Sequence, residues 1–125
     1  MPKAKSILVV DDEEVIRDFF QSALETEGYR VTTASNAAEA RKALQKEDFE
    51  AVVLDIILPD MNGILLFHQI KKDHPRLADR VIFLSGVDIV KEFNQDISDL
   101  GAAFLTKPVD YEVLINTVNE TVNGG

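Results

Sequence analysis

The chain has 125 residues, about the length of one ordinary domain and too short for two well-packed ones. Its 13 Lys and Arg against 22 Asp and Glu give a net charge of −9, which argues against direct binding of nucleic acid, because that binding depends on clustered basic residues. With no Cys, disulfides and Cys-based metal sites are excluded.

The sequence shows no signal for a membrane or for secretion. Its apolar runs have the length of strands, far below the roughly 20 residues that a membrane span needs. The basic N-terminus is followed by only four apolar residues before Asp11, too few for a signal peptide. We therefore expect a cytoplasmic protein.

Five short apolar runs follow one another along the chain and predict strands, because most are rich in β-branched or aromatic residues. Four of them are almost entirely apolar, which is typical of parallel strands covered on both faces. The second contains Thr32 and Thr33 and is more alternating, as expected at a sheet edge. The five runs are residues 7–10, 31–34, 51–54, 81–84 and 102–105.

Between the runs, apolar residues recur with a period near 3.6 and predict helices. The first helix covers 15–24 and ends before Gly28, a typical C-cap. Asn36 followed by Glu39 predicts the N-cap of the second. The third covers 64–70 and is ended by Pro75, the fourth covers 89–100 and is stopped by Gly101, and the fifth runs from an Asp110 cap through Val122.

This alternation predicts an α/β fold, a doubly wound five-stranded parallel sheet with helices on both faces. A chain of this size favours the flavodoxin-like strand order 2-1-3-4-5, in which ligands bind at the carboxyl ends of the strands near the switch point between the first and third strands. We therefore interpret residues 1–125 as a single domain. Functional residues are expected directly after each strand.

Polar side chains stand at four of these strand ends. Asp11 and Asp12 follow the first strand, Asp55 ends the third, Ser85 ends the fourth and Lys107 ends the fifth. The four acids at residues 11–14 could simply cap a helix and complement its dipole, and the serine and lysine could be ordinary loop residues. Asp55 resists such an explanation, because it interrupts a buried run and a buried charge is costly unless paired. Their coincidence at one edge favours a site. Residues 59–63 after Asp55 form a predicted turn, in which Asn62 and Gly63 are expected to supply an unusual backbone conformation.

The chemistry of this set fits phosphoryl transfer. Clustered carboxylates need protons or a cation, and Mg²⁺ prefers oxygen ligands. A carboxylate can attack phosphorus, and the reaction depends mainly on positioning and on neutralising the phosphoryl oxygens. Asp55 would be the nucleophile, Asp11 and Asp12 would hold Mg²⁺, and Ser85 and Lys107 would receive the phosphoryl oxygens.

Taken in order, these motifs resemble the receiver domain of two-component response regulators. The resemblance runs from Ile7 to about Val122 and is carried by residues 8–13 (LVVDDE), 54–63 (LDIILPDMNG), 85–86 (SG) and 105–108 (LTKP). It implies a chemotaxis-receiver-like signalling domain. It also implies that the domain assists its own phosphorylation and dephosphorylation but does not turn over a separate substrate. Because only three residues follow Val122, we expect no output domain on this chain.

The resemblance implies a role for each position of the site. Asp55 is the phosphoacceptor, and Asp12 and Asp55 are direct ligands of Mg²⁺. Asp11 acts on the metal mainly through water, and the backbone carbonyl of Ile57 completes the protein ligands. Ile57 and Val87 are bulky and apolar at positions that flank the path of the hydrolytic water, so slow self-dephosphorylation is expected.

The resemblance also implies a switch. Ser85 is the switch hydroxyl, whose movement would drag the loop 86–88, and Phe104 is the switch aromatic, which would turn inward. Lys107 matches the family's lysine, whose bond to Pro108 is typically cis. The altered surface comprises the fourth helix, the fifth strand and the fifth helix. The implied partners are a histidine kinase or phosphotransfer protein, a downstream effector or output domain, and a possible second copy bound through that surface.

Three other functions compete with this one. A phosphatase of the haloacid-dehalogenase type would need a second Asp where Ile57 stands. A flavodoxin-like FMN binder would need a phosphate loop rich in glycine and hydroxyls, where residues 11–14 are all acidic. A degenerate receiver that acts as a phosphorylation-independent interaction module is disfavoured because none of the five chemical positions is missing, and it stays the alternative.

Overall fold

Five strands and five helices alternate along the chain, as the sequence predicts. The computed structural model describes residues 4–124, except the side chains of residues 87, 90, 93, 94 and 96–98. The predicted apolar positions Val90, Phe93 and Ile97, and the side chain of Val87, therefore lie outside the described part. The strands are β1 (Ser6–Val10), β2 (Arg30–Ala34), β3 (Ala51–Asp55), β4 (Val81–Gly86) and β5 (Ala103–Lys107). The helices are α1 (Glu14–Thr26), α2 (Ala37–Lys46), α3 (Gly63–Asp73), α4 (Val87–Leu100) and α5 (Tyr111–Gly124), with a 3₁₀ turn at Pro75–Leu77.

The strands form one parallel sheet in the order β2-β1-β3-β4-β5, which confirms the predicted flavodoxin-like topology. β2, with its two threonines, is an edge strand as expected. In the register of the central strands, Val10 lies opposite Leu54 and Asp55 lies opposite Leu84. At the far side, Gly86 lies opposite Lys107. The carboxyl ends of β1, β3, β4 and β5 therefore meet at one edge of the sheet.

Two apolar cores cover the two faces of the sheet. α1 and α5 pack on one face, where Phe20 and Leu114 are fully buried. α2 and α3 pack on the other face, where Phe67 and Phe83 are buried. Because side chains alternate along a strand, the same strands supply both cores, and this explains why the central strands read as continuous apolar runs.

The ends of three helices confirm the predicted caps. α1 ends in a Schellman motif, in which Gly28, with a φ of 93°, donates to the carbonyl of Glu25 and Tyr29 donates to that of Leu24. Asn36 caps α2 by accepting the N–H of Glu39 at 2.8 Å. Asp110 accepts the N–H groups of the second and third residues of α5 at 3.1 and 3.3 Å.

The turn before α3 corrects one expectation. We expected the Asn62–Gly63 pair to supply an unusual backbone conformation, but among the described residues the positive φ values belong to Gly28 and Gly101. Gly63 is instead needed for close approach. Its N–H donates to the carbonyl of Ile56 at 2.6 Å, and a Cβ there would overlap the carbonyl oxygen of Asp55.

Element ends and helix faces bring two further corrections. β4 continues to Gly86 and α4 begins directly at Val87, so residues 86–88, predicted as a loop, are the strand end and the first helical turn. Val15 and Leu65, which belong to the apolar patterns that predict α1 and α3, face solvent instead of the core, with exposed fractions of 78% and 58%. Among the residues that the structure describes, no helix has the length and apolar character needed to cross a bilayer.

Candidate functional site

Three carboxylates from two neighbouring strands meet at the predicted edge of the sheet. Asp11 and Asp12 directly follow β1, and Asp55 is the last residue of β3. One oxygen from each lies within 4.8 Å of the others. Asp11 and Asp55 are buried, whereas Asp12 is exposed to solvent. The structure thus brings together the three acids that the sequence selected.

Lys107 supplies the positive charge of the site. Its Nζ lies 2.9 Å from Oδ2 of Asp11, 3.1 Å from Oδ2 of Asp55 and 3.2 Å from Oε1 of Glu13. An ammonium group has three donors, and three carboxylates lie within ion-pair distance of it. Two of these contacts have hydrogen-bond geometry, those to Glu13 and Asp55. The contact with Asp11 is at ion-pair distance, but it lacks the angles of a hydrogen bond, and Oδ2 of Asp11 has no hydrogen-bond partner within the described part of the chain.

Backbone groups fix the orientation of Asp11. Its N–H donates to the carbonyl of Ala34 at 3.1 Å, and its Oδ1 accepts the N–H of Glu13 at 2.8 Å. From α1, Nη1 of Arg17 donates to the backbone carbonyl of Asp11 at 2.8 Å. One carboxylate oxygen is therefore held by the backbone, and the other is left facing the cluster.

Asp55 is held from both sides. Its Oδ1 accepts the N–H of Ile57 at 3.0 Å, and its Oδ2 accepts a hydrogen bond from Lys107. The residue after it, Ile56, donates its N–H to the carbonyl of Leu84 at 3.1 Å. Both oxygens of this carboxylate have defined directions, as a nucleophile of fixed position requires.

Burial governs the charge state of the site. Burial raises the pKa of Asp55 from 3.8 to about 6, and the Asp11 carboxylate adds to this rise, while the N–H of Ile57 and the ammonium of Lys107 only partly oppose it. For Lys107, burial lowers the pKa, but the carboxylates of Asp11 and Asp55 outweigh that effect and hold the pKa above its ordinary value. At neutral pH the lysine is charged, and Asp55 is predominantly ionised.

The acidic cluster fits a small divalent cation. Its donors are all oxygen, the preference of Mg²⁺, and two of its carboxylates, those of Asp11 and Asp55, share a single ammonium with Glu13. The buried Oδ2 of Asp11, which lacks a hydrogen-bond partner within residues 4–124, is a further acceptor that a cation would satisfy. Asp11, Asp12 and Asp55 are the residues that could hold the ion. The carbonyl of Ile57 as a further ligand stays a prediction.

The residues predicted to form the switch lie on the strands next to the cluster. Ser85 is buried and follows Leu84, which lies opposite Asp55 in the sheet. Phe104 lies opposite Phe83 and has an exposed fraction of 42%. Because side chains alternate along a strand, Phe83, Ser85 and Phe104 lie on the same face, on which α4 also packs. The Lys107–Pro108 bond is cis, as expected from the resemblance.

Two contacts of the site were not predicted from the sequence. Glu13 was interpreted as part of an acidic helix start, and Arg17 was not singled out. The sequence contains a weak signal for the first, because four consecutive acids are more than one helix N-terminus needs. No local signal identifies Arg17, since its acceptor is a backbone carbonyl and not a side chain.

Comparison with known proteins agrees with this geometry. The family model described as "Response regulator receiver domain" matches residues 7–119. The chain is 33% identical to "Response regulator receiver protein CpdR" of Brucella abortus, covering 93% of this chain and 95% of that protein. It is 34% identical to "Probable transcriptional regulatory protein TcrX" of Mycobacterium tuberculosis over 88% of this chain, and spans only about half of that relative, 46% of its length.

Solved structures give the same result. A CheY-like response regulator receiver domain protein from Methanospirillum hungatei superimposes with a TM-score of 0.86 at 33% identity, with 97% of this chain and 95% of the other covered. The fold, the order of the motifs and the acidic cluster all agree with that likeness. The chain therefore belongs to the response regulator receiver domain family of two-component systems.

Proposed function

We propose that Asp55 accepts a phosphoryl group from the phosphohistidine of a histidine kinase or a phosphotransfer protein, with Mg²⁺ bound at Asp11, Asp12 and Asp55. The observation that carries the proposal is the contact of Lys107 with Asp55, 3.1 Å from Nζ to Oδ2, beside the two other acids. The proposed nucleophile, the carboxylate oxygens that could bind a cation and an ammonium group of fixed position therefore lie next to one another. These are the groups that phosphoryl transfer needs.

In the proposed reaction, a carboxylate oxygen of Asp55 forms a bond to phosphorus while the bond from phosphorus to the donor imidazole nitrogen breaks. The electron pair of that bond returns to the imidazole nitrogen, and a proton taken from solvent by the other ring nitrogen of the donor lets the imidazole leave as a neutral ring. Lys107 donates to an oxygen of the transferred group and offsets its growing charge. When bound, Mg²⁺ would neutralise the phosphoryl oxygens. The N–H of Ile57, which now donates to Oδ1 of Asp55, keeps the carboxylate oriented.

The register of the sheet supports a switch driven by the phosphoryl group. That group adds about −1.5 to −2 charge and three acceptor oxygens at the end of β3. Ser85 lies one strand away, and its hydroxyl would donate to one of these oxygens. Since α4 begins directly after β4, a shift of Ser85 would move the first turn of α4, and Phe104 on the same face would turn inward.

The partners of the chain are inferred from this chemistry. The phosphoryl donor would be a histidine kinase or a phosphotransfer protein, and one relative, 31% identical over 92% of this chain, is named "Sensor kinase CckA". The responding surface of α4, β5 and α5 would contact an effector, an output domain or a second copy. Phe104, Tyr111 and Val113 expose apolar surface there. We place the reaction in the cytoplasm and expect no turnover of a separate substrate.

The test is labelling with a phosphohistidine donor or acetyl phosphate, with and without Mg²⁺. The wild-type protein should take up one phosphoryl group that is released by base, and only when Mg²⁺ is present. Asp55→Asn should take up none, while Asp60→Asn, which removes an exposed carboxylate from the following loop, should behave like the wild type. Equal labelling of Asp55→Asn would exclude Asp55 as the acceptor. Absence of labelling in the wild type would favour the interaction module instead.

A further inference from the structure

The side chain of Glu13, at the N-terminus of α1, contacts Lys107 and not the helix that it precedes. It is the N-cap residue of α1, yet its side chain makes no capping hydrogen bond. The carboxylate instead contacts Nζ of Lys107 across the sheet edge, at 3.2 Å. N-cap side chains ordinarily satisfy the free N–H groups of the first helical turn. Glutamate is not among the residues preferred for that purpose, so the contact with Lys107 is the interaction that engages this side chain, and this points to a role at the site.

The three acids around Lys107 differ in how firmly they are held. The side chains of Asp11 and Asp55 have exposed fractions of 0% and 5%, whereas that of Glu13 is 58% exposed. The exposed carboxylate can return to water at little cost, since exposed ion pairs contribute only about 0.2–1 kcal/mol. Of the three acceptors, Glu13 is thus the one that Lys107 can most readily exchange.

We propose that Glu13 is a positioning residue that occupies one donor of the Lys107 ammonium in the unphosphorylated state and gives up that place to a phosphoryl oxygen. The inference rests on the proposed phosphoryl transfer at Asp55. Two of the three donors of the ammonium are used in hydrogen bonds to Glu13 and Asp55, and the Asp11 carboxylate lies 2.9 Å away. A phosphoryl group on Asp55 brings further acceptor oxygens to this crowded ammonium, and the contact with Glu13 is the one that it can displace most readily.

This role has a direct consequence for the resting state. By holding Lys107, Glu13 competes with the incoming anion, and its own charge also repels that anion. The carboxylate thus biases the site towards the unphosphorylated form. Removing its charge should make the site accept a phosphoryl-like group more tightly, by about 1.4- to 5-fold, which is the size of one exposed ion pair.

The experiment measures the affinity for beryllofluoride, an acyl-phosphate mimic, by ¹⁹F NMR at saturating Mg²⁺. The variants are Glu13→Gln, which keeps the shape and removes the charge, and Glu13→Ala, which also removes the acceptor. The matched control is Glu14→Gln, because Glu14 is the adjacent exposed acid, in the first turn of α1. Thermal unfolding in the absence of Mg²⁺ checks that all the variants are folded.

The proposal predicts that both Glu13 variants bind beryllofluoride about 1.4- to 5-fold more tightly than the wild type, while Glu14→Gln does not. An equal gain in Glu14→Gln would show a general charge effect and overturn the proposal. Unchanged or weaker binding by the Glu13 variants would also overturn it, and would leave the proposed function standing if the wild type binds. A wild-type protein that binds no beryllofluoride would overturn the proposed function itself.

Discussion

The ammonium of Lys107 lies 3.1 Å from Oδ2 of Asp55, although the two residues are 52 positions apart in the sequence. Their strands are not neighbours, because β4 lies between β3 and β5. The lysine therefore reaches past the end of β4, where the opposite residue in the register is Gly86. This contact links the proposed nucleophile to the strand that carries Phe104, so a change at Asp55 reaches both sides of the proposed switch.

The first prediction concerns the stability cost of Asp55. Its pKa is raised in the folded state, from 3.8 to about 6, chiefly by burial, so the ionised form destabilises the fold. The cost is present in full above pH 6 and disappears as the pH falls from 6 towards 4. In metal-free buffer at pH 7, the free energy of unfolding of Asp55→Asn should therefore be up to about 3 kcal/mol higher than that of the wild type. A pKa raised by one corresponds to about 1.4 kcal/mol.

Denaturant unfolding of both proteins between pH 4 and pH 7 checks this prediction. The advantage of Asp55→Asn should shrink as the pH is lowered. Asp60→Asn is the control with the opposite sign, because the N–H groups of Ala37 and Ala38 lower the pKa of Asp60. Asp60→Asn should be less stable than the wild type throughout this range. A constant difference between Asp55→Asn and the wild type would show that burial does not control Asp55.

The second prediction is that Lys107 has opposite effects on the binding of Mg²⁺ and on the binding of a phosphoryl group. Lys107→Met removes a cation that competes with Mg²⁺ for the same carboxylates, so Mg²⁺ should bind more tightly. The same change removes a charged donor to the phosphoryl oxygens, worth about 1.5–3 kcal/mol, so beryllofluoride should bind about 10- to 100-fold more weakly. Calorimetry measures both affinities, and Lys42→Met, on the exposed face of α2, is the control. Equal losses of both ligands would contradict the assignment.

The third prediction tests the close approach at Gly63. A Cβ at this position would overlap the carbonyl oxygen of Asp55 and lie 2.8 Å from Cα of Ile56, so Gly63→Ala should shift the end of β3. We expect it to lose about 1–3 kcal/mol of stability and to bind Mg²⁺ more weakly. Gly86→Ala is the matched control, since, its chain neighbours apart, none of the described atoms lies within 4 Å of the place that its new methyl carbon would take. Similar losses in both variants would refute the steric explanation.

The fourth prediction concerns the lifetime of the phosphorylated state. Ile57 follows Asp55 by two residues and has a half-exposed side chain, 47% exposed, which offers no hydrogen bond to an attacking water. Ile57→Asn adds such a group, and one neutral hydrogen bond of about 0.5–1.5 kcal/mol corresponds to roughly 2- to 10-fold faster loss of phosphate. Phosphate release after removal of the donor measures the rate. Leu65→Asn changes an exposed apolar position on α3 and should lose phosphate at the wild-type rate. If Ile57→Asn also loses phosphate at the wild-type rate, the idea is disproved.

The fold was predictable because its central strands and its helix ends both leave clear patterns in the sequence. Central strands such as β3 are apolar up to their last residue, and cap residues such as Asn36 and Gly28 mark the ends of helices. The faces of the helices were less predictable, because adjacent apolar pairs do not show which member is buried. In α1, Phe20 is buried while Phe19 has an exposed fraction of 37%, and periodicity alone gives no preference between them.

The acids of the site were predictable because topology places strand ends together. Asp55 interrupts an apolar run, and Lys107 stands at the corresponding end of β5. The contacts of Glu13 and Arg17 depend on side-chain directions and on a backbone carbonyl as acceptor, which no spacing in the sequence encodes. The need for Gly63 was predicted, but for the wrong reason, because a close approach of its backbone to that of Asp55 leaves no local pattern.

The most direct test of the account locates the phosphoryl group itself. After reaction with the donor and Mg²⁺, reduction with borohydride converts an aspartyl phosphate into homoserine, and peptide mass spectrometry identifies the residue changed. The account predicts homoserine at position 55 and none at positions 11 or 12. Homoserine at another acid, or none at all in a protein that has taken up phosphate, would contradict it.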